Sequence, residues 1–162
     1  MRNYVCALFV LALGCGCLGV AYGEQSDQAK PAVIKEAQKT GGTRMATQRK
    51  VVFHLDADEE SRFALALENI KNLFKEVPAQ SCQVSIVTNG KAVNLLRKDR
   101  VGKHAAAMQD LHKLGVRFNA CRNALANNKI AKEDLFEIVQ IVPAGILELI
   151  DLQAQGFAYI KP

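Results

Sequence analysis

The sequence predicts an α/β domain of three layers over residues 49–162, with helices on both faces of a mostly parallel sheet of about five strands. Three observations predict it. Short apolar runs rich in β-branched and aromatic residues, the kind buried on both faces, alternate with stretches whose apolar residues recur at helical spacing. Strands separated by helical crossovers imply a parallel sheet with right-handed connections. The 162-residue chain is 49% hydrophobic and 23% charged, an ordinary globular composition, and its length supports one core rather than two.

The elements follow in order from residue 50. Lys50 to Leu55 (Lys-Val-Val-Phe-His-Leu) is the first strand. Asp56-Ala-Asp-Glu59 comes next, and a carboxylate with a glutamate three places on marks a helix start. Phe63, Ala66, Leu67, Ile70, Leu73 and Phe74 form the apolar stripe of that helix, and Val77-Pro78 ends it. Cys82 to Thr88 is the second strand, closed by the turn Asn89-Gly90. Lys91 to Lys98 reads as a short basic helix. Lys103 to Leu114 reads as a longer one, with Ala105, Met108 and Leu111 on one face and Gly115 as its stop. Val116 to Ala120 is the third strand and ends at Cys121; Asn123 to Asn127 is a helical turn, and Lys132 to Phe136 a short helix or turn. Ile138 to Val142 is the fourth strand. Gly145 to Gln155 is the last helix, closed by Gly156, and Ala158 to Ile160 is a final short strand.

The chain before this domain reads differently. In residues 1–23, Arg2 is the only charge, Val5 to Val20 is apolar or small, and Ala21-Tyr22-Gly23 offers small residues where a signal peptidase reads. The run is short for a membrane span, so the expectation is a signal peptide cleaved near Gly23, before Glu24, and a periplasmic or secreted protein. A retained anchor and a lipoprotein acylated at Cys15 are the alternatives. No other stretch is apolar and long enough to span a membrane. Residues 24–48, rich in Gln, Lys, Thr, Ala and Gly, read as a flexible polar linker with a loose helical turn over 32–39.

Charge and motif exclude several functions. The net charge is +5, but residues 24–50 carry six Lys/Arg against three Asp/Glu, and from residue 51 onward the sum is only +1. With few aromatics and none among the basic residues, nucleic-acid binding is not expected. After the first strand stand Asp56, Asp58, Glu59 and Glu60, where a dinucleotide site needs glycines; these acids would repel a pyrophosphate. His104 and His112 lie about two helical turns apart, too far to share a metal. No cofactor and no metal are expected.

Ligands of parallel sheets bind beyond the carboxyl ends of the strands, and this selects the candidates. Cys121 ends the third strand beside Arg122, a position that favours a thiolate; the other reading is a buried small hydrophobe. Cys82 opens the second strand at the opposite end of the sheet and reads as structural, too distant from Cys121 for a disulfide. His54 is either a base or proton donor sharing a pocket with Cys121, or a hydrogen-bonded core histidine. Asn89, Gly90 and Asn123 are ligand-binding candidates or plain turn and cap residues. Pro143 and Gly145 precede a helix N-terminus, either a polar-group site or an ordinary helix start. Ile146, Leu149 and Ile150 read as core or subunit interface.

At Gly115-Val-Arg-Phe-Asn-Ala-Cys-Arg-Asn-Ala-Leu125 the sequence resembles the DsrE/DsrF-like family of sulfur-relay proteins, nearest its small stand-alone branch. Val51 to Asp56 with the Asn69-to-Asn72 helix, Val84 to Gly90, and Val142 to Ile146 running into Gln155 to Pro162 agree in order. The resemblance implies a DsrE-type fold, assembly into trimers or hexamers, and a cysteine carrying sulfur as a persulfide at the position of Cys121. A sulfur donor or acceptor protein, or a small anion, is the implied partner. Two departures stand beside it: the export signal, and Asn127-Asn128-Lys129 in place of the Arg and Gly that follow the relay cysteine. The alternative function is a non-catalytic oligomeric module that binds a small ligand or an envelope partner.

Overall fold

In the computed structural model, which describes residues 48–162, five strands form one wholly parallel sheet. They are β1 (Arg49–Leu55), β2 (Cys82–Thr88), β3 (Arg117–Cys121), β4 (Val139–Val142) and β5 (Ala158–Ile160), in the order β4-β3-β2-β1-β5. Five helices connect them: α1 (Glu60–Glu76), α2 (Lys98–Val101), α3 (Ala105–Lys113), α4 (Arg122–Asn127) and α5 (Gly145–Ala154). The expected signal peptide, the expected linker up to residue 47 with its expected turn over 32–39, and Cys6, Cys15 and Cys17 lie outside the described residues.

The register explains which faces are covered. Val52 pairs with Ser85 and Phe53 with Ile86, so alternate residues of neighbouring strands share a face. One face carries Phe53, Val84, Ile86 and Phe118 and packs against Phe63, Ala66, Leu67 and Ile70 of α1 and Met108 and Leu111 of α3. Each large side chain buried there contributes about 1.5–3 kcal/mol. The other face holds a smaller core, in which Val52 and Val87 meet Leu149, Leu152 and Phe157. One helix, α5, lies on that side. It carries the chain from β4 at one margin of the sheet back to β5 at the other, across β3, β2 and β1.

Two local expectations are corrected. The carboxylate cap at Asp56 does not form: α1 begins at Glu60, and Glu59 at its N-cap makes no side-chain capping bond. Cations take the acids instead, all but one of them from distant parts of the chain. Lys161 pairs with Asp56, Arg100 with Asp58, Arg62 with Glu59, and Lys103 with Glu60. The expected basic helix over 91–98 is a 3-10 helix, Gly90–Leu96, followed by α2. Its buried residues Ala92, Val93, Leu95 and Leu96 recur three apart, a spacing that both a three-residue and a 3.6-residue turn lay on one side, so the apolar pattern does not separate the two helix types.

Candidate functional site

The strand ends converge because the loops are stitched together. The Asn89 amide donates to the Leu55 carbonyl (3.0 Å) and the Lys91 amide to the Asp56 carbonyl (3.0 Å), which ties the loop after β2 to the end of β1. Gly90 permits this approach: its φ is +53°, and a Cβ there would lie 2.6 Å from the Asp56 carbonyl oxygen. The start of α5 closes over the same point. A Cβ at Gly145 would lie 3.1 Å from the Asn89 Cβ and 3.2 Å from the Cys121 Cβ, so a larger residue there would press on the loop after β2 and the end of β3 by a few tenths of an ångström.

An open cavity of about 570 Å³ lies between these loops. Cys121, Asn89, Gly90, Asn123 and Gly145 line it, so the structure brings together five of the residues that the sequence singles out. Lys91 also lines it, and no carboxylate does. Cys121 is 6% exposed and is the last residue of β3; Cys82, at the start of β2, is partly exposed. Both thiols are free. Pro143 is exposed and outside the lining, as is Arg122, while Ala144 and Ile146 take part. Asn128 also lines the cavity, but its amide is spent on the Gly90 and Ala124 carbonyls.

His54 does not line the cavity; it stands behind Asn89. Its Nε2 lies 3.1 Å from Asn89 Oδ1 and its Nδ1 lies 2.7 Å from the Tyr159 hydroxyl. Next to it, Lys161 Nζ donates to Asp56 Oδ2 at 2.5 Å. That hydrogen bond holds the Asp56 carboxyl below its ordinary value against partial burial, and the charges of Lys161 and His54 act in the same direction. Tyr159 and Lys161 are the residues that sequence reasoning missed. β5 lies beside β1, with Tyr159 opposite Val52, and the alternation puts His54, two residues further, on the same face. The signal was the strand order, which the linear sequence does not carry.

A second depression, about 950 Å³, runs between β1, β5 and α1 and is lined by Val51, Phe53, Leu73, Ala158 and Ile160 among others. It holds no thiol, which leaves the smaller cavity, with Cys121, as the candidate site. Among the described residues no cluster of three His, Cys, Asp or Glu converges as a metal site, and no helix is long and apolar enough to cross a membrane.

Comparison with known proteins bears on this arrangement. The sequence profile of the DsrE/DsrF-like family matches residues 49–162. Among solved structures, the protein of unknown function MTH1491 from Methanobacterium thermoautotrophicum is similar. The two share 36% sequence identity and a TM-score of 0.65 over 70% of this chain and 99% of that one. A comparison with curated proteins gave no match.

Proposed function

The chain belongs to the DsrE/DsrF-like family, and from that premise we propose that it is a thiol-based sulfur carrier working through Cys121. One observation carries the reading: a free cysteine ends a central strand in a cavity that contains a lysine and several asparagines but no acid. The Cys121 thiolate attacks the outer, sulfane sulfur of a donor persulfide, R–S–SH. A new S–S bond forms at Sγ while the donor S–S bond breaks. The departing thiolate takes the electron pair and picks up the proton that Cys121 gave up. The sulfur moves without an external oxidant, and Cys121 is left as a persulfide.

The carrier works after export, as a mature chain that begins near Glu24, and as a homo-oligomer. The aliphatic face of α5 supports assembly: Ile146, Leu147 and Ile150 are half or more exposed. Exposure of the folded mature protein to polysulfide, followed by peptide mass spectrometry, tests the carrier. The expected result is one added sulfur on Cys121, absent in Cys121→Ser and kept in Cys82→Ser. Sulfur on Cys82 instead, or on neither thiol until the protein unfolds, makes Cys121 a core residue. The alternative, a non-catalytic ligand-binding module, would then stand.

A further inference from the structure

We propose that Tyr159 makes the Cys121 cavity a site for anionic sulfane-sulfur compounds, of which thiosulfate is the simplest, by fixing which end of the Asn89 amide faces the ligand. The proposal rests on the sulfur-carrier reading for the kind of anion, and on the geometry for the rest. Tyr159, His54 and Asn89 form a chain of two hydrogen bonds that ends in the cavity. A phenol is a stronger donor than acceptor, because its lone pair is shared with the ring, so the 2.7 Å contact runs from the Tyr159 hydroxyl to Nδ1. The neutral imidazole then carries its proton on Nε2 and donates it to Asn89 Oδ1. The Asn89 Nδ2 has no hydrogen-bond partner among the described residues, and its two N–H groups are left to the cavity that Asn89 lines.

The opposite tautomer reverses the site. With the proton on Nδ1, a bare Nε2 would require the Asn89 amide to turn and donate to it. Oδ1 would then face the ligand beside the Cys121 sulfur, an acceptor where an anion needs a donor. Tyr159 blocks that tautomer, so it is a positioning residue, acting through His54 on Asn89. Lys91, the one charged residue of the lining, completes the attraction for an anion.

This arrangement has a pH signature. The titratable groups tied to His54 or to its neighbours are Tyr159 of β5, Asp56 just after its own strand, Lys161 just after β5, and, further across the sheet, Glu148 of α5. Lys161 neutralises Asp56, and Glu148 is engaged by the Asn119 amide. With the Tyr159 hydroxyl donating, the neutral imidazole keeps its proton on Nε2, and the protonated ring has one there too, so Asn89 presents N–H in either state. In Tyr159→Phe the neutral imidazole is free to take either tautomer, and only protonation restores the donor.

Thiosulfate binding is measured by calorimetry on the Cys121→Ser protein, which cannot react, with and without Tyr159→Phe, at about pH 8 and about pH 5.5, on either side of the imidazole range. Tyr159 is 41% exposed and loses one oxygen, so the fold is kept. The expected result at the higher pH is binding about two-fold weaker in Tyr159→Phe, the share of protein whose amide is turned when neither tautomer is favoured, with recovery at the lower pH. Asn89→Asp, equal in shape but lacking the N–H groups, is expected to lose binding at both. Equal affinity of the Tyr159→Phe and parent proteins at the higher pH overturns the proposal, as does a parent protein that does not bind thiosulfate. Persulfide formation on Cys121 is read separately. Its failure beside an intact Tyr159 effect removes the carrier reading and leaves an anion site.

Discussion

Gly90→Ala perturbs the site through the backbone, and its cost follows from two separate terms. The residue sits at φ +53°, where an L side chain costs about 1–2 kcal/mol. The new methyl would also lie 2.6 Å from the Asp56 carbonyl oxygen, well inside the roughly 3.3 Å at which carbon and oxygen meet without repulsion. That oxygen accepts the Lys91 amide at 3.0 Å, and moving it away endangers a bond worth about 1 kcal/mol. The total is about 2–3 kcal/mol. Gly115→Ala is the control: φ there is +94°, but nothing lies within 4 Å of a Cβ, so only the backbone term of about 1–2 kcal/mol applies. Urea melts of both variants, read at unchanged slope, give the difference. Alkylation of Cys121 in the same samples reports the site, since Asn89 and Gly90 form its wall. If Gly90→Ala costs no more than Gly115→Ala and leaves labelling unchanged, the close approach of the two loops does not govern the cavity, and the reasoning fails.

Three further outcomes follow from the same geometry. Gly145→Ala sets a methyl 3.1–3.2 Å from the Cβ atoms of Asn89 and Cys121; overpacking of about 1–3 kcal/mol is expected, with slower Cys121 alkylation, and unchanged stability and labelling would contradict it. Lys161→Met removes the partner that holds the Asp56 carboxyl below its ordinary 3.8. Because the folded-state value is lowered, the pair stabilises above that ordinary value and its contribution disappears as pH falls through the lowered one. The pair is partly exposed, so urea melts should show a deficit of at most about 1 kcal/mol near neutral pH, vanishing in acid; a deficit that grows in acid would refute the assignment. Ile150→Asp, at a residue 56% exposed on α5, is expected to lower the mass found by light scattering while the chain stays folded, and an unchanged mass would place any assembly surface elsewhere.

Strands and long helices are legible in this chain because burial imposes a period. β1 is buried on both faces and reads as a continuous apolar run, whereas α1 is buried along one stripe and repeats its apolar residues at three and four. The expected first four strands differ from the observed ones by a residue at one or both ends or not at all, and the fifth coincides. The acidic run after β1 misled, because a cap is a local competition and long-range partners won it: Lys161 lies 105 residues from Asp56 and Arg100 lies 42 from Asp58.

The sequence alone determined that a parallel sheet exists and that its carboxyl edge carries Cys121, Asn89, Gly90, Asn123 and Gly145. Each of these stands next to a strand, and every parallel strand points its carboxyl end the same way. Which of them meet was decided by tertiary structure. Strand order placed β5 against β1, which set Tyr159 behind His54 and Lys161 beside Asp56. The return of α5 across the sheet brought Gly145 down between Asn89 and Cys121. Both depend on pairings between residues far apart in the chain, and periodicity, a property of neighbours, holds no record of them.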